Sequence, residues 1–197
     1  MLEVIGPSLT LRLPAPEHAA GLFAMASNPE VTQRFSWGPY RSEAEPRAWV
    51  AGAAARREAG AILELVIERD GAPLGVTSLM ELSRRDRRAV TGTWLGREHW
   101  GTGANAESKA LLFALAFGPC GLERLTAYAD TGHARSQHAL EGLGFTREGV
   151  LRSWHRHPDG AHDLVVYGLL RDEWRSDVPA EIRGAPPAAF SCGATPS

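Results

Sequence analysis

The sequence predicts a mixed α/β fold, in the wider sense that includes α+β folds, in which helices flank one central sheet. Three observations predict it: an alternating apolar and polar run near the start, a strong hairpin in the middle, and strand–helix–strand crossovers toward the end. A chain of 197 residues is most economically one domain. We expect that domain to span residues 1–175, with a tail over residues 176–197.

The first third of the chain predicts one strand and two helices. Residues 8–13 alternate apolar and polar side chains, as a half-buried strand does. Prolines close this strand, and a helix is expected over residues 17–25. Ser42 and Glu45 have the spacing of a capping box, which predicts a second helix that continues to about Gly60.

The middle of the chain predicts a meander. Residues 62–68 and 74–79 have strand-like patterns on either side of Asp70-Gly71, a favoured hairpin turn pair, and residues 89–95 continue the sheet. Four arginines crowd residues 84–88. We interpret them as a solvated hairpin tip; a docking site for an acidic partner or a phosphate group is the alternative.

The last third predicts crossovers, followed by a tail. Residues 106–117 form a helix that is apolar on nearly every side and therefore buried. A second helix ends at Gly144. From about Ser176 the chain is rich in Pro, Ala and Ser, which predicts a loose tail, ordered at most by a neighbouring subunit. The predicted strands are residues 124–129, 145–150 and 163–170, the last two joined by a turn at residues 158–160.

Composition narrows the function classes. A net charge of -2 argues against a nucleic-acid partner. Cys120 and Cys192 are far apart and lack metal-ligand spacing, so we expect neither a disulfide framework nor a metal site, and a reducing cytoplasm. The chain start is too weakly apolar for a signal peptide, and no run approaches the roughly 18 to 20 apolar residues of a membrane span.

The glycine pair Gly101 and Gly103 is the most informative feature. It lies directly after a predicted strand and opens the predicted helix at residues 106–117. Glycines there allow a sharp turn and the close approach of an anion. The free N–H groups and the positive end of the helix dipole then attract a phosphate group, although such a turn is often only a tight connection.

Several segments resemble motifs of the GNAT acetyltransferase superfamily, in the family's order and spacing. Residues 99–105 resemble its coenzyme A loop, and residues 130–136 resemble its Asp-x-x-Asn-x-x-Ser segment. Residues 141–149 and 163–170 follow as expected. The resemblance covers roughly residues 8–175 and is nearest to the RimJ/RimL-like branch, named for acetylating N-termini of ribosomal proteins. It implies a central mixed, mostly antiparallel sheet flanked by helices.

The resemblance implies acetyl-CoA as the cofactor. The glycine loop would bind its pyrophosphate through backbone N–H groups, and the preceding strand would pair with its pantetheine arm. Trp94 is equally well explained as a core residue. The implied cofactor-binding residues are Trp94, Leu95, Trp100, Gly101, Thr102, Gly103, Ala104, Asn105 and Ser136.

The resemblance also implies catalytic roles. Ser136 holds the position of the acid that protonates the departing thiolate; a serine that bonds N–H groups of the first helical turn is the alternative. His133 replaces the family's Asn, and it can be an acid or base or merely cap the helix. Val90 stands where many relatives carry a candidate base, a glutamate, so Glu81 and His99 are possible substitutes.

These departures from the family's residues favour one kind of acceptor. An α-amino group has a pKa of about 7.7 to 8.0 against about 10.4 for lysine, so a site without a strong base favours an α-amine. Aromatic residues in loops or at strand ends are candidate acceptor contacts, with core positions as the alternative. These candidates are Phe35, Trp37, Tyr40 and Trp154.

The predicted activity is transfer of an acetyl group from acetyl-CoA to a primary amine, on a small molecule or a peptide, by direct attack in a ternary complex. No cysteine nucleophile is expected. The alternatives are a non-catalytic acyl-CoA-binding module and an antibiotic or polyamine acetyltransferase. Because dimers are common in this branch, a homodimer is expected.

Overall fold

One sheet organises the molecule. The computed structural model describes residues 1–157 and 160–192, and within them the chain forms nine strands and five α-helices. The strands are β1 (Glu3–Ile5), β2 (Thr10–Arg12), β3 (Ile62–Arg69), β4 (Ala72–Ser83), β5 (Arg88–Leu95), β6 (Arg124–Asp130), β7 (Thr146–His157), β8 (Gly160–Leu170) and β9 (Glu181–Arg183). The helices are α1 (Ala19–Ala26), α2 (Pro29–Thr32), α3 (Ala44–Glu58), α4 (Ala104–Phe117) and α5 (Ala134–Gly142). None of these helices is long and apolar enough to cross a membrane.

The sheet is parallel at a single junction among its described strands, and it opens there. The spatial order is β7-β8-β6-β5-β4-β3-β2-β1-β9, and every neighbouring pair is antiparallel except β5 and β6. Within the described chain, those two pair only from Arg88↔Arg124 to Val90↔Thr126. A crevice therefore forms where β5 and β6 part, at the carboxyl ends that lead into α4 and α5. The predicted mixed, mostly antiparallel sheet is confirmed.

Helix α4 lies in the core because its sequence is apolar on nearly every side. Residues 111–113 are fully buried, as predicted. Its first turn is tied to the start of the chain, since the Glu107 carboxylate accepts hydrogen bonds from the backbone N–H groups of Ser8 (2.7 Å) and Leu9 (2.8 Å) and from the Ser8 hydroxyl (2.6 Å). These bonds fix the N-terminal end of α4 at the crevice.

The predicted hairpin and meander are confirmed. Strands β3 and β4 join through Asp70 and Gly71, whose φ angles are 52° and 78°. The register of β4 and β5 shifts near Glu81, which has a φ of 51°. Such a bulge re-aims the side chain at that position. The arginines of residues 84–88 lie at the tip of this second hairpin, as predicted.

The capping box predicted before α3 forms only in part. The Glu45 carboxylate accepts hydrogen bonds from the backbone N–H groups of Ser42 (3.0 Å) and Arg41 (2.6 Å). Within the described residues, no hydrogen bond of the Ser42 hydroxyl completes the box. The helix itself lies close to the predicted bounds.

The prediction of a loose tail is wrong for the residues that the structure describes. Strand β9 pairs with β1 at the sheet edge. Phe190 is fully buried in the main core, and Cys192 donates a backbone hydrogen bond to the carbonyl of Cys120 (2.9 Å). A few apolar anchors therefore outweigh a composition typical of disorder. Residues 158 and 159 of the predicted turn and residues 193–197 of the tail lie outside the described residues.

Candidate active site

The glycine loop and the start of α4 form an open cradle of backbone N–H groups. Gly101 and Gly103 have φ angles of 75° and 85°, a region that glycine adopts without strain. A Cβ atom added at either glycine would meet nothing within 4 Å. The first backbone bond of the helix runs from the Glu107 N–H to the Gly103 carbonyl, so the N–H groups of residues 104–106 point out of the helix end. This geometry fits a phosphate group.

Side chains around the cradle hold the loop without filling it. The Trp100 indole N–H donates to the Leu95 carbonyl (3.0 Å), which ties the loop to the end of β5. The guanidinium carbon of Arg135 lies 3.8 Å from the centre of the Trp100 ring. The Thr102 hydroxyl donates to the His99 carbonyl (2.8 Å). The loop is therefore braced from both sides.

A cleft of about 510 Å³ opens in front of the cradle, and we call it the cradle cleft. The side chains of Thr102 and Ala104, predicted to bind the cofactor, do not line it; Ala104 is buried, and its part in the cradle is its backbone N–H. Trp94 lines the cleft and also packs against the smaller core cluster, so the coenzyme-pairing role of this residue stays a prediction. The predicted residues that line the cleft are Trp94, Leu95, Trp100, Gly101, Gly103, Asn105 and Ser136.

A second cavity of about 330 Å³ adjoins the first, and we call it the inner cavity. Val90, Thr91 and Lys109 line it, together with the predicted site residues Glu81 and Trp154. The two cavities therefore meet at a common set of side chains, which we call the shared wall. The shared wall consists of Arg34, Phe35, Thr93, Asn105, His133, Ser136 and Ala139.

Ser136 stands in this shared wall. Helix α5 brings it there, and its backbone N–H donates to the His133 carbonyl (3.0 Å). Its hydroxyl makes no hydrogen bond to any described residue, so the capping role weighed for it is not observed. The hydroxyl is therefore free to bond a ligand.

His133 begins α5 and also faces both cavities. Its side chain makes no capping hydrogen bond. Burial lowers its pKa below the ordinary 6.5, the positive charges of Arg135 and Arg34 lower it further, and Asp130 opposes them. The imidazole is therefore neutral at neutral pH, and one of its nitrogens can accept a proton.

Asp130 braces the turn between β6 and α5. Its Oδ1 accepts hydrogen bonds from the Gly132 N–H (2.7 Å) and from Arg34 (3.3 Å), and its Oδ2 lies 2.6 Å from Nδ1 of His162. Burial raises the pKa of this carboxyl, but the hydrogen bonds from His162 and Gly132 and the charge of Arg34 outweigh burial and hold the pKa below its ordinary value. Asp130 thereby fixes Arg34 against the shared wall.

Lys109 is the site residue that sequence analysis missed. It is the one lysine of the sequence, it is 5% exposed, and its side chain lines the inner cavity. Its Nζ lies 3.4 Å from Oγ1 of Thr91 and 6.0 Å from the centre of the Phe113 ring. Burial lowers its pKa from 10.5 to about 8. The signal in the sequence was a lone cation at the point where α4 becomes apolar on nearly every side.

The aromatic residues predicted to contact the acceptor divide into two groups. Phe35 and Trp154 line the inner cavity, and Trp154 is 58% exposed. Trp37 and Tyr40 line neither cavity, so neither cavity supports an acceptor contact for them. The ring of Trp37 lies 5.4 Å from that of Phe35, 5.5 Å from Tyr40 and 5.6 Å from Trp94, so these rings bury one another. Burial accordingly raises the pKa of Tyr40.

The two substitute bases lie in different places. Glu81 lines the inner cavity from its bulge in β4. His99 lines the cradle cleft, where its Nε2 is 3.6 Å from the Glu98 carboxylate. Val90 is 5% exposed in the wall of the inner cavity. Glu81 is therefore the better placed of the two candidates.

Other candidate groups lie away from these cavities. Cys120 and Cys192 line neither cavity, and burial raises the pKa of the Cys120 thiol to about 12, which leaves it protonated. The arginines of residues 84–88 line neither cavity, so the phosphate-docking alternative has no geometric support. Over residues 1–157 and 160–192, no group of three or more His, Cys, Asp or Glu side chains could hold a metal ion.

Known proteins with similar sequences are acetyltransferases by name. The Acetyltransferase (GNAT) domain family matches residues 8–146. A Bacillus subtilis protein named "Putative ribosomal N-acetyltransferase YdaF" is 33% identical over 108 residues, which are 55% of this chain and 59% of that protein, less than two thirds of its length. "Uncharacterized N-acetyltransferase p20" of Bacillus licheniformis is 28% identical over 174 residues, 84% of this chain and 94% of that protein.

Solved structures share the fold. One, described as a "putative acetyltransferase" from T. thermophilus, has a TM-score of 0.75 and 33% identity, over 87% of this chain and 90% of that one. The ribosomal L7/L12 alpha-N-protein acetyltransferase RimL has a TM-score of 0.78 over 86% of this chain and 95% of that one; at 21% identity, this likeness shows the fold alone.

These likenesses agree with the geometry of the site. GNAT acetyltransferases use acetyl-CoA, and the open, N–H-lined cradle beside a long cleft fits the pyrophosphate and arm of that cofactor. The parted strands β5 and β6 and the family match over residues 8–146 together show that the chain belongs to the GNAT family of acetyltransferases.

Proposed function

We propose that the chain transfers the acetyl group of acetyl-CoA to a primary amine by direct attack within a ternary complex. The supporting observation is the shared wall, where the cradle cleft and the inner cavity meet at Ser136 and His133. The coenzyme can occupy one cavity while the amine enters from the other. No covalent enzyme intermediate is then required.

The residues at the shared wall supply the proton transfers that this reaction needs. Acetyl-CoA contributes an acetyl group activated as a thioester. The neutral imidazole of His133 can accept the proton that the attacking amine loses, and Glu81 is a second acceptor at the same cavity. The Ser136 hydroxyl, which lacks a partner in the described part of the chain, can donate a proton to the departing sulfur.

The proposed acceptor is an α-amine, at a protein N-terminus or on a small molecule. The name of the ribosomal relative supports a protein N-terminus, and the size of the inner cavity, about 330 Å³, suits one residue or a small molecule. The buried ammonium of Lys109 argues against a polyamine or a cationic antibiotic, because like charges repel strongly where water is scarce. The proton-transfer groups argue against a module that only binds the coenzyme.

The proposed setting is the cytoplasm, with two copies forming a dimer. Buried free thiols suit a reducing compartment. Val150 and Leu170, 41% and 39% exposed, give apolar surface near the β7 edge that a second copy can cover.

Calorimetric titration of acetyl-CoA tests the cradle. A tryptophan at Gly103 projects into open space and should abolish saturable binding, whereas wild type should bind. Gly71→Trp is the matched control, because Gly71 has a similar φ of 78° and equally open surroundings at a distant turn. The proposed coenzyme site would be refuted by either of two results. Gly103→Trp and Gly71→Trp could bind acetyl-CoA equally well, or wild type could fail to bind it.

Steady-state kinetics tests Ser136. Ser136→Ala should lower kcat about 100-fold, the usual size of one acid's contribution, with little change in acetyl-CoA affinity. Ser108→Ala is the control, since Ser108 bonds the Asn105 carbonyl near the start of α4 and lines neither cavity. Equal kcat values for the two variants would exclude Ser136 as the acid.

A further inference from the structure

Lys109 is a buried cation without an anionic partner in the described part of the chain. Its Nζ has one hydrogen-bond partner there, the neutral hydroxyl of Thr91 at 3.4 Å, and it lies 6.0 Å from the centre of the Phe113 ring. Lys109 and Thr91 are 5% and 4% exposed. A buried ammonium is costly unless it is paired, so packing alone does not favour this residue here.

The acids around the inner cavity do not neutralise this charge. On β6, Asp130 is held by Arg34, His162 and the Gly132 N–H. On β4, Glu81 is exposed at the bulge and makes no ion pair with Lys109. The other titratable groups on the cavity wall are His133 on α5, His155 on β7 and Tyr128 on β6, and none of them is an anion at neutral pH.

We propose that Lys109 and Thr91 form an anion-binding end of the acceptor site, and that the acceptor carries a carboxylate beside the amine that is acetylated. This inference rests on the proposed function. A carboxylate accepts hydrogen bonds from both the ammonium and the hydroxyl, and it supplies the missing countercharge. The cavity volume of about 330 Å³ suits an amino acid or a chain terminus whose first residue is acidic.

Carboxylate binding can be measured without turnover. Succinate is titrated calorimetrically into protein saturated with coenzyme A, which keeps the probe out of the cradle, and neutral succinamide serves as the matched ligand. Wild type and Lys109→Arg should bind succinate. Lys109→Met should bind it at least about tenfold more weakly, which is the loss expected for one charge-assisted contact. Arg85→Met, which removes a 95% exposed cation, should bind like wild type.

A second measurement uses wild type alone and so does not depend on a variant that folds. Because the sequence contains one lysine, ¹⁵N-lysine labelling gives a single side-chain signal. Succinate should move the titration midpoint of this signal to higher pH, and succinamide should not. Equal binding of the two probes, or a midpoint that succinate leaves in place, would overturn the anion site.

Acetyl transfer then identifies the source of the carboxylate. Transfer to an Asp-Ala-Ala peptide amide above its Asn-Ala-Ala counterpart indicates a chain terminus, whereas transfer to free aspartate above free asparagine indicates an amino acid. Equal rates within both pairs would overturn the proposed acceptor. Succinate binding without transfer to any of these amines would remove the proposed function and leave the anion site supported.

Discussion

At the scale of single residues, Lys109 couples the stability of the protein to pH. Burial lowers its pKa from 10.5 to about 8. Below about pH 8 the folded and the unfolded chain both hold the proton, and the folded chain bears the full cost of a buried charge. Between about pH 8 and 10.5 the unfolded chain holds more protons, so the free energy of unfolding rises with pH, by about 3 kcal/mol in all.

Lys109→Met should remove that rise. We expect the variant to be more stable than wild type at neutral pH, by up to about 3 kcal/mol, and the difference to shrink as the pH approaches 10.5. Urea denaturation across this range measures the difference, with Arg85→Met as the control for a lost surface charge. A difference that stays constant with pH would contradict the buried, titrating ammonium.

Residues fixed by local motif spacing could be predicted from the sequence. Gly101, Gly103, Ser136 and His133 all lie at the cavities as expected, because each is set by a turn or a helix start next to it in the chain. The position of Lys109 at the site could not be predicted, because the residues around its side chain come from β5 and β6. Neither strand is adjacent to Lys109 in the sequence.

At the scale of elements, the start of helix α4 is held by hydrogen bonds to residues almost a hundred positions earlier in the chain. The Glu107 carboxylate accepts both backbone N–H groups of Ser8 and Leu9. Glu107→Ala removes the oxygen that accepts both of these N–H groups, so we expect a loss of about 1–3 kcal/mol in stability and weaker acetyl-CoA binding, because the cradle lies on the same helix turn. Thermal denaturation and calorimetry measure the two effects.

Glu45→Ala provides the matched control at the start of α3. Its carboxylate also accepts two backbone N–H groups, from Arg41 and Ser42, but neither cavity includes it. It should lose stability and keep its affinity for acetyl-CoA. If both variants bind acetyl-CoA equally well, Glu107 does not position the cradle.

Elements with local signals could be predicted, and elements with distant partners could not. The β3–β4 hairpin follows from alternation around Asp70-Gly71. Strands β1 and β9 were missed because each has three residues and they pair with each other across nearly the whole chain. Neither has the longer alternation that made β2, also three residues, predictable from residues 8–13.

At the scale of the whole molecule, the end of the described chain closes the core. Phe190 is fully buried, and removal of its ring should leave a cavity and cost about 3–5 kcal/mol. Trp154→Ala removes a larger ring at a position that is 58% exposed, so it should change stability by no more than about 0.5 kcal/mol. Thermal denaturation of the two variants compares them. A small loss of stability for Phe190→Ala would mean that residues 176–192 do not close the core and form a loose tail instead.

The parted strands β5 and β6 have a consequence for solubility. Beyond Val90 and Thr126, each strand presents an inner edge in addition to the outer edges of the sheet at β7 and β9. Unpaired edges recruit strands from other molecules. A coenzyme arm lying between β5 and β6 would cover both inner edges. The supply of acetyl-CoA should therefore set how readily copies of this protein aggregate, as well as how fast they work.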